Sequence, residues 1–443
     1  MGETMSLTRE SRITALMIYT LTVSAMRSFR PPSDHAQAFW LLDYRFGFVK
    51  RGLIGEIVTL VTGRLSIPIT AELISGLAYS AFWIYCAAII VLSIRIVRRS
   101  GWSAEAVLVS LVFFSSPFIV MSAHLIGYLD NVVIVLGIAS VVLLVKGRPW
   151  LGAILQVLAL LTHEFSMLLV VPSFCLAWLL IGSRRQKSGV PLLPLTPMLL
   201  PIGTFLLLVA GQEFFVGKDF AKLFTDQLSQ FPFIQADRVT WVPLWASTSF
   251  LDYFALQSGE FLARISSGAM YGLVFPTALA VLFFTLSAHR ILALSAESLV
   301  LLGVSFAPQL MHLVAWDTPR IWTYTILCAF LALWVYSEVS APQKSSSAGR
   351  LLCLAALSVN AVVSTPLMDL QTDNYSPETR LLLYSPVLIS GLVLILRGER
   401  IPVAERLRIQ GSDILGSLSP ARRRKVTPRF IQGAGTGAPE RLR

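Results

Sequence analysis

The sequence predicts an all-α, polytopic integral membrane protein with about twelve transmembrane helices and no soluble catalytic domain. Three observations predict it. Of 443 residues, 55% are hydrophobic and only 14% are charged, which is more apolar than a soluble domain requires. Apolar runs approaching membrane-spanning length recur from one end of the chain to the other,. Basic residues collect in every second connection between those runs, as cytoplasmic loops do,.

The runs lie at roughly 13–27, 72–94, 104–122, 131–145, 150–162, 165–182, 192–211, 266–287, 291–311, 319–337, 350–366 and 381–396,. The first follows Arg9 and Arg12 and is short, but no small-x-small cleavage site comes after it. It therefore reads as a retained first helix and not as a signal peptide. Pro117, Pro172, Pro201, Pro276 and Pro308 fall in or near these runs, where membrane helices accept kinks. Cys86, Cys175, Cys328 and Cys353 sit inside apolar runs without paired or metal-type spacing, so they point neither to disulfides nor to a metal,. The net charge of +11 resides in short loops and the C-terminal stretch, so it is no sign of a nucleic-acid partner.

Placing the N-terminus in the cytoplasm puts RIVRR (Arg95–Arg99), KGRPW (Lys146–Trp150), Ser183–Lys187, His289–Arg290 and Ser337–Arg350 on the inner side,. Both termini are then cytoplasmic, in a bacterial inner membrane. The expected organisation is a transmembrane domain over 1–397 with outer loops 28–71 and 212–265, followed by a basic, disordered cytoplasmic tail over 398–443 containing ARRRKVTPR,. The 212–265 loop is too aromatic for a linker, with Phe220, Phe224, Trp241, Trp245 and Tyr253 among its residues; it reads as short helices that lie on the membrane over a pocket.

With this orientation the unusual polar residues gather on the outer face. The densest stretch is Asp43–Gly55, DYRFGFVKRGLIG, in which Asp43 precedes the cations Arg45, Lys50 and Arg51. Three cations outside run against the positive-inside trend, so they need a reason. Arg offers a planar fork of donors and Lys a point charge, the chemistry that phosphate recognition uses. The plainer reading is an interfacial loop in which Asp43 is a salt-bridge partner. Asp130, the pair His163–Glu164, and Asp317 with Arg320 belong to the same face. Their plainer readings are a helix cap for Asp130 and a local i,i+3 ion pair for Asp317 and Arg320. Counting from Lys146 and Arg148 at about 1.5 Å per residue, Asp130 and His163 come to a similar depth on neighbouring antiparallel helices. That depth implies a recessed polar pocket open to the outer leaflet.

The chain contains no P-loop, no GxGxxG after a strand, no HExxH and no CxxC. Sugar transfer from a lipid phosphate suits what remains. It needs a base for the acceptor hydroxyl and cations to steady the departing phosphate. Asp43 and Glu164 are the candidate bases. Arg45, Lys50, Arg51 and Arg320 are candidate phosphate ligands, with Asp130, His163 and Asp317 completing the binding residues. The outer carboxylates offer ligands for a divalent cation, although no spacing demands one.

The layout resembles the GT-C superfamily of polyprenyl-phosphate-sugar-dependent membrane glycosyltransferases, through LLDYRFGFVKRG, HLIGYLDN and LLTHEFSMLLVVP over about the first 340 residues. The resemblance implies an essential acidic residue in the first outer loop, which maps to Asp43. It also implies a polyprenyl-phosphate-linked sugar as donor and a glycan or lipid as acceptor, in cell-envelope synthesis. Asp43 lies about sixteen residues beyond the first helix, farther than in many members, so the nearer Asp34 is a rival base. Two alternatives stand beside this reading: an O-antigen-type polymerase or ligase, and a flippase or transporter of lipid-linked saccharides. Charges through the midplane would favour transport, and a one-sided pocket favours transfer.

Overall fold

A computed structural model describes residues 8–187, 194–214, 216, 219–292, 294–340, 342, 347–368 and 370–397. The tail expected over 398–443 lies outside the described residues. In chain order the α-helices are α1 (Arg9–Met26), α2 (Asp34–Ala38), α3 (Gly52–Leu65), α4 (Ala71–Arg99), α5 (Ala104–Phe114), α6 (Pro117–His124), α7 (Asp130–Val145), α8 (Pro149–Thr162), α9 (Ser166–Leu169), α10 (Val171–Lys187), α11 (Thr196–Phe214), α12 (Phe220–Leu228), α13 (Ala236–Ser247), α14 (Phe250–Gln257), α15 (Phe261–Ile265), α16 (Gly268–Ala288), α17 (Ala296–Phe306), α18 (Thr318–Val339), α19 (Ser347–Val362) and α20 (Pro377–Arg397). The protein is therefore an all-α polytopic membrane protein. Every apolar run of the sequence falls on one or two of these helices. Among the described residues, seven helical stretches are long and apolar enough to cross a membrane, with α5 and α6 counted together as one.

Local chemistry explains where the helices start. Thr8, Thr70, Ser103 and Ser295 each accept a backbone N–H from the first turn of the helix that follows, a bond worth about 1 kcal/mol. Proline opens α6 and α8 and stands in the first turn of α18, where its missing N–H costs nothing.

The bundle is built around α18, buried from Arg320 to Val339. It packs against α16, α17, α10, α6 and α4. Phe330 of α18 stacks on Phe113 of α5 at 3.7 Å between ring centroids. Helices that are apolar all round belong in such a core or in lipid. The peripheral helices supply the lipid-facing surface, with Trp83, Ile84, Leu206, Leu207, Leu392 and Leu396 exposed.

Two features place the site. The first is a pair of short antiparallel helices. α7 has 16 residues and α8 has 14, so they extend about 24 and 21 Å against a hydrocarbon core of about 30 Å. They are locked side by side by the Ser140 hydroxyl, which donates to the Gly152 carbonyl and accepts from Gln156 Nε2. The second is the loop that leads into α3. A Cβ at Gly55 would collide with the Leu42 carbonyl, so only glycine lets α3 lie against the 3-10 turn Phe39–Leu41 and the residue after it.

A separate polar junction ties the bundle together elsewhere. Arg27 at the end of α1 donates to the carbonyls of Asn360 and Val363 and pairs with Asp373. The other oxygen of Asp373 pairs with Arg380 of α20 at 2.9 Å. Asn360 itself bridges to Val112, Ser115 and Thr277.

Candidate functional site

The Asp43–Gly55 stretch folds into two parts with different partners. Asp43 is fully buried at the start of the 3-10 turn Tyr44–Phe46. Its carboxylate accepts from the Arg45 backbone N–H, from Arg45 Nε at 2.8 Å and from the Thr59 hydroxyl at 3.1 Å. It thus pins its own loop to α3. Eight residues later, at Arg51, the chain turns sharply. Arg51 caps α3 in the left-handed region, φ 66 and ψ 10, a conformation that costs a side-chain-bearing residue about 1–2 kcal/mol. Strain of this kind persists only where surrounding contacts hold it.

Those contacts are Glu164. Arg51 Nε donates to both carboxylate oxygens at 3.1 and 3.0 Å, and Nη2 donates to Oε1 as well. Glu164 is presented by a break in the helices. α8 ends at Thr162, His163 is extended at φ −160, and α9 begins at Ser166. Unwound backbone within a membrane bundle is tolerated where it lines a cavity. Phe39 and Phe165 flank the Arg51 guanidinium at 5.1 and 5.9 Å.

Lys50 turns the other way and is 3% exposed. Its ammonium donates to the Thr248 carbonyl between α13 and α14 and lies over the Tyr253 ring at 4.6 Å. Burial drives its pKa down to about 7; Glu164 and Glu213 oppose that shift and Arg51 adds to it. Gln212 closes the same junction, accepting from the Lys50 N–H and donating to the Ala246 carbonyl.

The second ion cluster joins α7 to α18. Arg320 Nη2 pairs with Asp130 at 2.6 Å and Nη1 with Asp317 at 3.1 Å, while Nε donates to the Tyr324 hydroxyl. Tyr324 in turn donates to Asp130. Every arm of this guanidinium is engaged by protein.

Together these elements border a cavity of about 550 Å³. Lys50, Arg51, His163, Glu164, Asp317 and Arg320 line it, so residues from three separate stretches of chain meet there. Asp130 stands one hydrogen bond behind, on Arg320. Asp43 and Arg45 are not among the lining residues, and neither is Asp34, whose carboxylate accepts from the Gln235 N–H. The 212–265 stretch forms the four short helices α12–α15 and contributes Arg238, Trp241, Trp245, Phe250 and Tyr253 to the wall.

Arg30 escaped the sequence reading. It lines the cavity, and its Nε donates to the His124 carbonyl at 2.9 Å. Its signal was present in RSFRPP, one more cation between the first helix and the Asp43–Gly55 stretch. Five cations, Arg30, Lys50, Arg51, Arg238 and Arg320, thus face two carboxylates, Glu164 and Asp317. Among the described residues no carboxylate pairs with Arg30 or Lys50, and no group of three or more His, Cys, Asp or Glu is arranged to hold a metal ion.

Residues 12–204 match the family described as Uncharacterised membrane protein Rv1490. The matched span includes Arg30, Lys50, Arg51, Asp130, His163 and Glu164, and stops short of α12–α18. Neither a curated protein nor a solved structure matches the chain.

Proposed function

We propose that this protein is a membrane glycosyltransferase of the GT-C type, working on the extracytoplasmic face of the bacterial inner membrane. It takes a sugar from a polyprenyl-phosphate donor and passes it to a glycan or lipid acceptor of the cell envelope. The observation that carries this reading is the charge imbalance of the cavity, above all Arg30 and Lys50, which face it without a carboxylate of their own. Unmatched, partly desolvated cations are the groups that hold a phosphate and steady the charge it gains as the sugar leaves. Arg51 and Arg320 supply the field around them, each fixed in place by its carboxylates. Asp43 and Arg45 act from below, by shaping the loop that presents Lys50 and Arg51.

Transfer is favoured over passage by the central helix. α18 carries no charged residue between Arg320 and Glu338, and Ile326 to Val335 are packed apolar side chains. A transporter concentrates its polar groups near the midplane.

The test compares extracted glycolipids and surface glycans from cells with the wild type, a deletion, and Arg51→Ala at equal protein level. The reading expects deletion and Arg51→Ala to lose the same glycan while a polyprenyl-phosphate sugar accumulates. Normal glycans in the Arg51→Ala cells would remove the phosphate site from this cavity.

A further inference from the structure

We infer that the Asp317 carboxylate is the general base of this transfer, taking the proton of the acceptor hydroxyl as that oxygen attacks the anomeric carbon of the sugar. The inference rests on the glycosyl-transfer reading and assigns the base within it.

Among the described residues, two carboxylates line the cavity, Glu164 and Asp317. Glu164 is closed off, since Arg51 engages both of its oxygens and its side chain is 4% exposed. Asp317 is open. Its Oδ2 accepts from Arg320 at 3.1 Å, its Oδ1 has no hydrogen-bond partner among the described residues, and its side chain is 15% exposed. A base must reach the proton it removes within hydrogen-bond distance, and Oδ1 is the carboxylate oxygen of this wall left with that capacity.

The neighbours of Asp317 suit an acceptor ring. Trp316, the preceding residue, is half exposed, and its indole lies 5.3 Å from that of Trp245 across the cavity wall. A pyranose or furanose presents an apolar face of C–H groups beside its hydroxyls. Lying on these indoles, it would turn a hydroxyl edge toward Asp317.

The electrostatics fit the role. Burial raises the Asp317 pKa, Arg320 and Arg51 pull it down, and Asp130 raises it again. A carboxylate raised in this way is a stronger base, while the two guanidiniums keep it ionised until the proton arrives. In the step itself the acceptor oxygen bonds to the anomeric carbon. The bond from that carbon to the phosphate oxygen breaks, with its electron pair staying on the phosphate. The hydroxyl proton passes to Asp317. Polyprenyl phosphate departs beside Lys50 and Arg30.

The test uses full-length protein in lipid nanodiscs. The donor pool is the radiolabelled polyprenyl-phosphate sugars extracted from the deletion strain, and the acceptor is membranes of the same strain. Farnesyl phosphate binding is measured in parallel on each variant. Asp317→Asn is expected to lower turnover by about 10²–10⁴-fold with farnesyl phosphate affinity within about threefold of wild type. Asp317→Glu is expected to recover part of that rate, and the acid limb of the wild-type pH–rate profile is expected to vanish in Asp317→Asn. Turnover within threefold of wild type in Asp317→Asn overturns the assignment. So does a loss of farnesyl phosphate binding that matches the loss of turnover, which makes Asp317 a holder of Arg320 and no base. A wild type that binds farnesyl phosphate but never consumes the lipid-linked sugar overturns the transfer reading itself.

Discussion

Two clusters of buried arginine and carboxylate sit in this bundle, and they are built to opposite ends. Around Asp373 every charge is closed. One oxygen accepts from Arg27 and the Thr365 N–H, the other from Arg380 and the Tyr375 N–H. Around Arg51 and Arg320 the same residue types border an open volume, with a backbone residue held in the left-handed region and two cations left unmatched. The closed cluster joins α1, the stretch after α19, and α20. The open one joins well-separated stretches of chain around the cavity. Burial and ion pairing alone do not mark a functional site; capacity left over for something else does.

Substitutions can break or sharpen that contrast. The largest stability effect is expected at Asp373→Ala, which strands Arg27 and Arg380 as buried, unpaired charges. Breaking such a pair costs about 3–5 kcal/mol, read as a drop in melting temperature or loss of the folded peak in detergent. Arg51→Ala is expected to remove transfer activity almost entirely while costing clearly less stability, because water in the cavity can solvate Glu164. Equal stability losses in these two variants would erase the distinction between closed and open clusters.

A smaller effect separates Lys50 from the arginines. Its pKa is lowered to about 7 by burial, below its ordinary value of 10.5, so between those values the unfolded chain binds more protons than the folded one. Stability therefore rises with pH over that window, and Lys50→Met is expected to flatten the rise. Anion binding should run the other way. Farnesyl phosphate affinity is expected to weaken between pH 6 and 8.5 as Lys50 loses its charge, and Lys50→Arg is expected to abolish that weakening. An identical pH dependence in wild type and Lys50→Arg would detach Lys50 from the anion.

The smallest effects belong to the first half of the loop. Asp43→Asn is expected to cost about 1–3 kcal/mol through lost charged hydrogen bonds, with transfer reduced far less than by Arg51→Ala. Arg45→Ala, with a side chain 54% exposed, is expected to change stability by under about 1 kcal/mol. Thermal unfolding in nanodiscs checks both.

The helices were legible because apolarity sustained over a span leaves the chain little choice in a membrane. The polar face was legible for the converse reason, since each charge among those spans stands out. Partnership was not. Arg51 and Glu164 are far apart in sequence, and nothing in either segment says that one neutralises the other. Asp43 was hard to read for a different reason. A carboxylate beside three cations suggests shared chemistry, yet its partners are Arg45 and Thr59, about two turns into α3,. The break at His163 was legible, since the apolar runs 150–162 and 165–182 stop on either side of it; the breaks between α5 and α6 and between α9 and α10 were not, because the chain there stays apolar while the helix is interrupted.

The shortness of α7 and α8 carries one more consequence. A pair of helices about 21–24 Å long is shorter than a hydrocarbon layer of about 30 Å, and α8 ends at Thr162, directly before His163–Glu164. Bilayers answer such a mismatch by thinning. Under the lipid-phosphate reading, the lipid surface beside this pair is expected to dip toward the cavity that Arg51 and Lys50 line. A lipid phosphate could then meet its cations while its tail stays in its own leaflet, so the membrane itself would supply part of the approach to the site.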